Sequence, residues 1–366
     1  MNKWLFFFLL CGFNVQANQK NINNELLEKT ITQMTKNFME EEKVFVGLQT
    51  AILYKNELIF NKGFGYTDIE NKKPFLNNTI VALGSNTKEF TSVAVQLLKN
   101  KALISYDDKI EKHLSNELTN KSNVTIRQLL CHTSGLPDFF DVARNYPQNL
   151  MTFNSLISAT AKLPKNFSAG DKYEYNNTGY ILLGKLIEKI SGQSLGDFYR
   201  ENIIVPLKLN NTYYLGDTFF LENMSKSYDR VNNKTILFGH NHEDYTEYRI
   251  SQGAGGLGGS LSDFIKWHTA ILKGRLLPME NINEMITPCT LNNGSLTKYG
   301  LGMEIRSIDN EIYYYHNGAT NGFLSNALYF PNKKLTVAFV TNSWENPSKY
   351  EKKLIKEVLH WLKTKR

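Results

Sequence analysis

The chain has 366 residues, 42% of them hydrophobic and 21% charged, with a formal net charge of +7. That length and balance describe a globular chain with a sizeable core and exclude a disordered or collagen-like one. The lysines are dispersed and form no basic block, so no nucleic-acid partner is expected; an anionic cell envelope or simple solubility accounts better for the excess charge.

Residues 1–17 read as a signal peptide. Asn2 and Lys3 make a short basic start, and Trp4 to Phe13 is an apolar run shorter than the roughly 20 residues that span a bilayer. Val15-Gln16-Ala17 offers a cleavage site after Ala17, which predicts an exported protein, periplasmic or secreted, without a stable membrane span. Cys11 would suit a lipoprotein, but Leu10 before it is bulky for that processing, and an uncleaved anchor is the competing reading. Cys131 and Cys289 then remain, too few for a disulfide framework. Cys131 falls in an apolar helical pattern and reads as a small buried filler.

Leu26, Leu27, Ile31, Met34 and Phe38 have helical spacing within Asn24–Met39. Val46–Tyr54 and Leu58–Tyr66 flank Lys55-Asn56-Glu57 as a hairpin. A helix follows, ending near Asn100, with Ser85 and Lys88 at its opening. Three residues apart, they share a face at about 5–6 Å between Cβ atoms. Further helices are predicted at Thr125–Cys131, Asn154–Lys162, Thr178–Ser191, Leu195–Asn202 and Ser262–Leu272, the last with an N-cap signal in Ser260 and Asp263. Strands return at Glu311–Tyr315, Ser325–Phe330 and Leu335–Thr341, and a helix closes the chain at Tyr350–Lys363. The order predicts an α+β fold: an antiparallel sheet flanked by terminal helices, with a mostly helical subdomain inserted. The sheet part falls at about residues 24–99 and 290–366, the insertion at about 100–289, within one domain over 18–366.

Two stretches suggest other chemistry. Gly253-Ala254-Gly255-Gly256-Leu257-Gly258 spells G-x-G-x-x-G, but Tyr248–Gln252 before it is a poor buried strand and no second parallel strand follows. Glycines there suit close approach of backbone instead. His240-Asn241-His242-Glu243-Asp244 spells H-x-H-x-D, part of a zinc hydrolase's ligand set, but Tyr245 stands where a histidine should follow. A zinc hydrolase using His240, His242 and Asp244 is the weaker alternative, and no metal or organic cofactor is expected.

Ser85-x-x-Lys88 is joined downstream by Tyr175-x-Asn177 and by His316-x-Gly318. With Ile126–Pro137 and Gly253–Gly259, in this order, these segments resemble the serine β-lactamase and penicillin-binding DD-peptidase superfamily, most closely its class C β-lactamase-like branch. The resemblance covers about Val46 to Trp344. It implies the β-lactamase/transpeptidase-like fold and a Ser85 acyl-enzyme, with Lys88 and Tyr175 as the other catalytic residues. Either Lys88 or Tyr175 could take the serine proton. It further implies that Asn177 orients Lys88 and binds the substrate amide, and that the Ser85 and Ala319 N–H groups form the oxyanion hole. Gly318 is expected to let substrate lie flat against the strand, and His316 to face a substrate carboxylate. The branch's β-lactamases carry Lys where His316 stands, and Ala169-Gly170 replaces a usual Pro-Gly. The expected substrates are D-Ala-type peptides, D-amino-acid amides, β-lactams or small esters, with peptidoglycan among the candidate partners. The rival is a sensor or scaffold that acylates without turnover. The oligomeric state is left open.

Overall fold

The computed structural model describes residues 5–364 apart from 44, 115–122, 147–151, 218–220 and 239–245, and of residues 5–22 and 246–248 the backbone alone. Its main sheet has seven antiparallel strands. Their spatial order is Lys73–Pro74, Glu57–Asp68, Gly47–Tyr54, Leu335–Thr341, Phe323–Phe330, Glu311–Thr320 and Glu304–Ile308. Three hairpins of this sheet turn on two residues of positive φ: Lys55-Asn56, Asp309-Asn310 and Asn321-Gly322. Twisted antiparallel strands favour that turn, and Asn, Asp and Gly adopt it most cheaply.

The two ends of the chain meet in mid-sheet, where Leu48 pairs with Thr341 and Tyr54 with Leu335. Leu335–Thr341 is buried along its whole length, and its side chains alternate between two cores. Val337 and Phe339 join Leu48 and Ile52 in the core shared with the helices Leu5–Glu42 and Ser348–Thr364. Ala338 and Val340 join Ala51 and Ala327 in the core shared with the helices Leu261–Leu272 and Thr87–Asn100. Tyr350 ties the first layer together, its hydroxyl 3.0 Å from Thr35 Oγ1 and 2.5 Å from Thr50 Oγ1.

The expected helices are present at Thr87–Asn100, Ile126–Leu130, Phe153–Lys162, Asn177–Ser191 and Leu261–Leu272; Leu195–Tyr199 runs on into a π-turn, Arg200–Ile204. Ser260 caps as expected, accepting the Asp263 N–H at 3.2 Å. The edge strand Glu304–Ile308 and a small sheet of Ile80–Ala82, Leu257–Ser260 and Thr212–Tyr214 are additional to the expected elements. Strands of three to five residues hold too few alternations to be seen as a period. The glycine run behaves as a packing device. Thr91 Oγ1 donates to the Gly253 carbonyl at 2.6 Å, and a Cβ on Gly253 would come within 2.5 Å of the Tyr180 carbonyl oxygen. His240, His242 and Asp244 lie outside the described residues. Among the described residues no group of His, Cys, Asp and Glu is placed to hold a metal ion, and no helix is long and apolar enough to cross a membrane.

Cys131 is not a lone filler: it forms a disulfide with Cys289 across a sequence separation of 158. The spacing is too long to predict from one sequence, because only folding brings the two together. Closing so large a loop restricts the unfolded chain. Replacing both cysteines by serine should cost about 2–4 kcal/mol of stability, measurable by denaturant unfolding.

The helix Thr87–Asn100, which follows Ser85, carries a buried acid. Glu89 has no solvent exposure; it accepts the Trp267 indole N–H at 2.9 Å and stands 3.3 Å from His268. Burial raises its pKa to about 8 and lowers that of His268 to about 3. The folded state therefore holds a proton that the unfolded chain releases above pH 4.5, so stability falls as pH rises from there through 8. Glu89→Gln mimics the protonated acid without titrating. Its stability relative to wild type should rise between pH 5 and about 8.5, a trend that thermal melts across this range would measure.

Candidate active site

From Ile80 to Gln96 every residue is buried except Ser85, which is partly exposed. It sits on the 3-10 turn Gly84–Asn86 that leads into the helix Thr87–Asn100. Gly84 has φ +52°, and a Cβ there would lie 2.7 Å from the Ala319 nitrogen. A side chain is thus excluded by conformation and by space. Asn86 Nδ2 donates to Ser325 Oγ at 2.6 Å, and Ser325 Oγ donates to the Leu83 carbonyl at 2.8 Å. These bonds tie the serine turn to the sheet.

Lys88 has no exposed surface. Its Nζ lies 3.0 Å from Ser85 Oγ, 2.9 Å from Asn177 Oδ1 and 2.8 Å from the Ala254 carbonyl oxygen. Asn177 is the first residue of the helix Asn177–Ser191, and Asn176 caps that helix by accepting the Gly179 N–H. Asp138 fixes the orientation of Asn177, accepting its backbone N–H at 2.7 Å and its Nδ2 at 3.1 Å, so that Oδ1 is left to face Lys88. Burial lowers the Lys88 pKa to about 7, with the Asp138 charge opposing. Tyr175 precedes the cap. Its ring centroid is 4.9 Å from Lys88 Nζ, and Ser85 lies close enough to its hydroxyl to favour the phenolate. Burial holds the Tyr175 phenol well above the usual tyrosine range, against the lowering effect of Ser85.

The third motif lies on Glu311–Thr320. Its sheet neighbour Glu304–Ile308 pairs only with Glu311–Tyr315, and Ala319 is exposed between buried Gly318 and Thr320. A Cβ on Gly318 would lie 1.9 Å from the Leu83 carbonyl oxygen. The glycine makes room for the serine turn. His316 is 1% exposed. Its Nδ1 lies 2.8 Å from the Asn317 carbonyl, an acceptor, and so carries the ring proton; Nε2 then accepts from Tyr299 Oη at 3.0 Å. Burial, with Lys88 nearby, lowers its pKa to about 3. It is therefore a neutral ring with both nitrogens bonded, as a histidine at neutral pH is unless a carboxylate raises its pKa. Asp138, Tyr299 and the Ala254 carbonyl were missed. Their only sequence signal is nearness to motifs, because their roles depend on which chain segments meet.

Ser85, Lys88 and Asn177 thus form one hydrogen-bonded group with the Tyr175 ring packed against Lys88, and Gly84 of the serine turn packs against Ala319. The Beta-lactamase family matches residues 27–360. The chain belongs to that family. It is a serine hydrolase of the superfamily that holds the penicillin-binding proteins. It is 28% identical over 320 residues to a penicillin-binding protein of Bacillus subtilis (strain 168), covering 84% of this chain and 70% of that one. An octameric penicillin-binding protein homologue from Pyrococcus abyssi superposes with a TM-score of 0.71 at 27% identity, over 88% of this chain and 74% of the other. D-amino acid amidase from Ochrobactrum anthropi SV3 shares the fold, with a TM-score of 0.77 at 22% identity over 93% and 99% of the two chains.

With Lys88 as the proton acceptor, activity falls as pH drops through its pKa. The acid limb of kcat/KM on a neutral ester should therefore sit near pH 7. Asp138→Asn removes the charge that favours protonated Lys88 and should move that limb to lower pH, read from the same profile.

Proposed function

We propose that the chain is an exported hydrolase that attacks esters and amides with Ser85 through an acyl-enzyme. The observation that carries the mechanism is the set of three partners around Lys88. Asn177 Oδ1 and the Ala254 carbonyl are fixed acceptors and take two N–H bonds. The lone pair of the neutral amine is then directed at Ser85 Oγ. Lys88 acts as the general base. Tyr175, its phenol protonated at neutral pH, gives its proton to the leaving group and recovers one from the deacylating water, while Lys88 returns the serine proton to Ser85 Oγ as the acyl bond breaks. The Ser85 and Ala319 N–H groups receive the developing oxyanion.

The preferred substrates have no carboxylate beside the reacting carbonyl: small esters and D-aminoacyl amides ahead of penicillins or peptide C-termini. His316 is neutral and Lys88 is fully partnered. Arg306, whose charge also reaches this cleft, is paired with Glu304 at 2.6 Å and stacked on Tyr315 at 3.9 Å. Glu304 and Asp138 turn negative charge towards Tyr175. The amidase likeness, which is one of fold, accords with this preference. The N-terminal signal and the disulfide, a feature of oxidising compartments, both support export.

A chromogenic neutral ester, a D-alanine anilide and a labelled penicillin test the reading on the mature protein. Turnover of the first two, faster than that of penicillin and abolished by Ser85→Ala, is expected. The ratio of kcat/KM on anionic to neutral substrates should stay flat from pH 5.5 to 8, because His316 does not titrate there. Lasting penicillin label with no turnover of any substrate would mean a binding protein, and a ratio that rises on acidification would restore His316 as a carboxylate partner.

A further inference from the structure

His132 grips the chain on both sides of Tyr175. Its carbonyl oxygen accepts the Glu174 N–H at 2.9 Å, and its ring Nδ1 accepts the Asn176 N–H at 3.0 Å. Its ring packs against the phenol, with centroids 4.3 Å apart, and touches Tyr299 at 4.6 Å and Tyr180 at 5.0 Å. Two features of His132 are unfavourable. With Nδ1 accepting, the ring proton is on Nε2, and that buried N–H has no hydrogen-bond partner. The backbone lies in the left-handed region at φ +57°, which a residue with a Cβ seldom adopts. A fold that keeps both is keeping the ring in place for a reason, and such costs concentrate at functional sites.

The grip is itself anchored. Cys131, the preceding residue, is bonded to Cys289, whose N–H donates to the Tyr299 carbonyl at 2.9 Å. Tyr299 in turn holds His316. The segments around Tyr175 and His316 are therefore braced against each other through His132 and the disulfide.

We propose that His132 is a positioning residue that sets the phenol of Tyr175 on Ser85. It does so by fixing the backbone N–H groups of residues 174 and 176 and packing its ring against the tyrosine. This inference rests on the reading of Tyr175 as the proton relay. His132 touches neither the reacting bond nor Ser85; it acts through Tyr175.

The test compares His132→Asn with His132→Gly in the full mature protein. Both replacements tolerate left-handed backbone. The Asn Oδ1 stands about where Nδ1 stood and keeps the bond to Asn176; glycine does not. On a neutral ester, His132→Gly should lose roughly 10–100-fold in kcat, with KM within about twofold. His132→Asn should recover most of that loss, and melting temperatures confirm that both variants are folded. A folded His132→Gly with wild-type kcat overturns the proposal, as does a His132→Asn no faster than the glycine variant. Should the glycine variant not fold, His132→Gln takes its place, since its longer amide reaches past the Asn176 N–H; equal rates for Gln and Asn then overturn the proposal. Tyr175→Phe separates the two levels. If it keeps full kcat, the relay reading fails and nothing is left to position. If it is inactive while His132→Gly is unimpaired, the positioning role alone fails.

Discussion

Burying one amine governs the site. Lys88 lies out of water on the helix behind Ser85, and a buried ammonium is costly unless every donor is met. Three separate parts of the chain meet it: the serine turn, the start of the Asn177 helix and the glycine-rich stretch at Ala254. None of these can shift without leaving Lys88 unsatisfied. The same burial lowers its pKa to about 7, which lets an ordinary lysine work as a base at neutral pH.

The surrounding architecture follows from that requirement. Asp138 holds Asn177 so that its oxygen, not its nitrogen, faces the amine. The glycines at 253 and 318 remove side chains where backbone passes at closer than van der Waals distance to a Cβ. Gly84 lets the nucleophile turn reach the strand that carries Ala319. At His316 a shared motif position is used differently from a lysine. The ring is a neutral link between Tyr299 and the end of its strand, so the cleft has no uncommitted positive charge at that point.

Much of this was legible in the residues alone. The apolar runs around Lys55-Asn56-Glu57 and at Leu335–Thr341 marked the sheet, and the longer helices of the insertion were found to within a few residues, while the short Phe139–Ala143 and Met279–Met285 were not. The three motifs in order brought Ser85, Lys88, Tyr175 and Asn177 to one site, and they are found together. The edge strand Glu304–Ile308 and the three-stranded sheet were not legible, since short strands draw their stability from partners rather than from their own pattern.

The sequence by itself determined the family, the α+β arrangement and which side chains gather around Ser85, because these depend on residue types in a fixed order. Tertiary structure alone decided the protonation states and the partners. Whether Lys88 is acidic enough to serve as a base, whether His316 carries a charge and whether Cys131 meets Cys289 all depend on burial and on contacts between residues far apart in the chain. Desolvation and disulfide pairing are properties of a place in space, and a linear order of residues does not contain them.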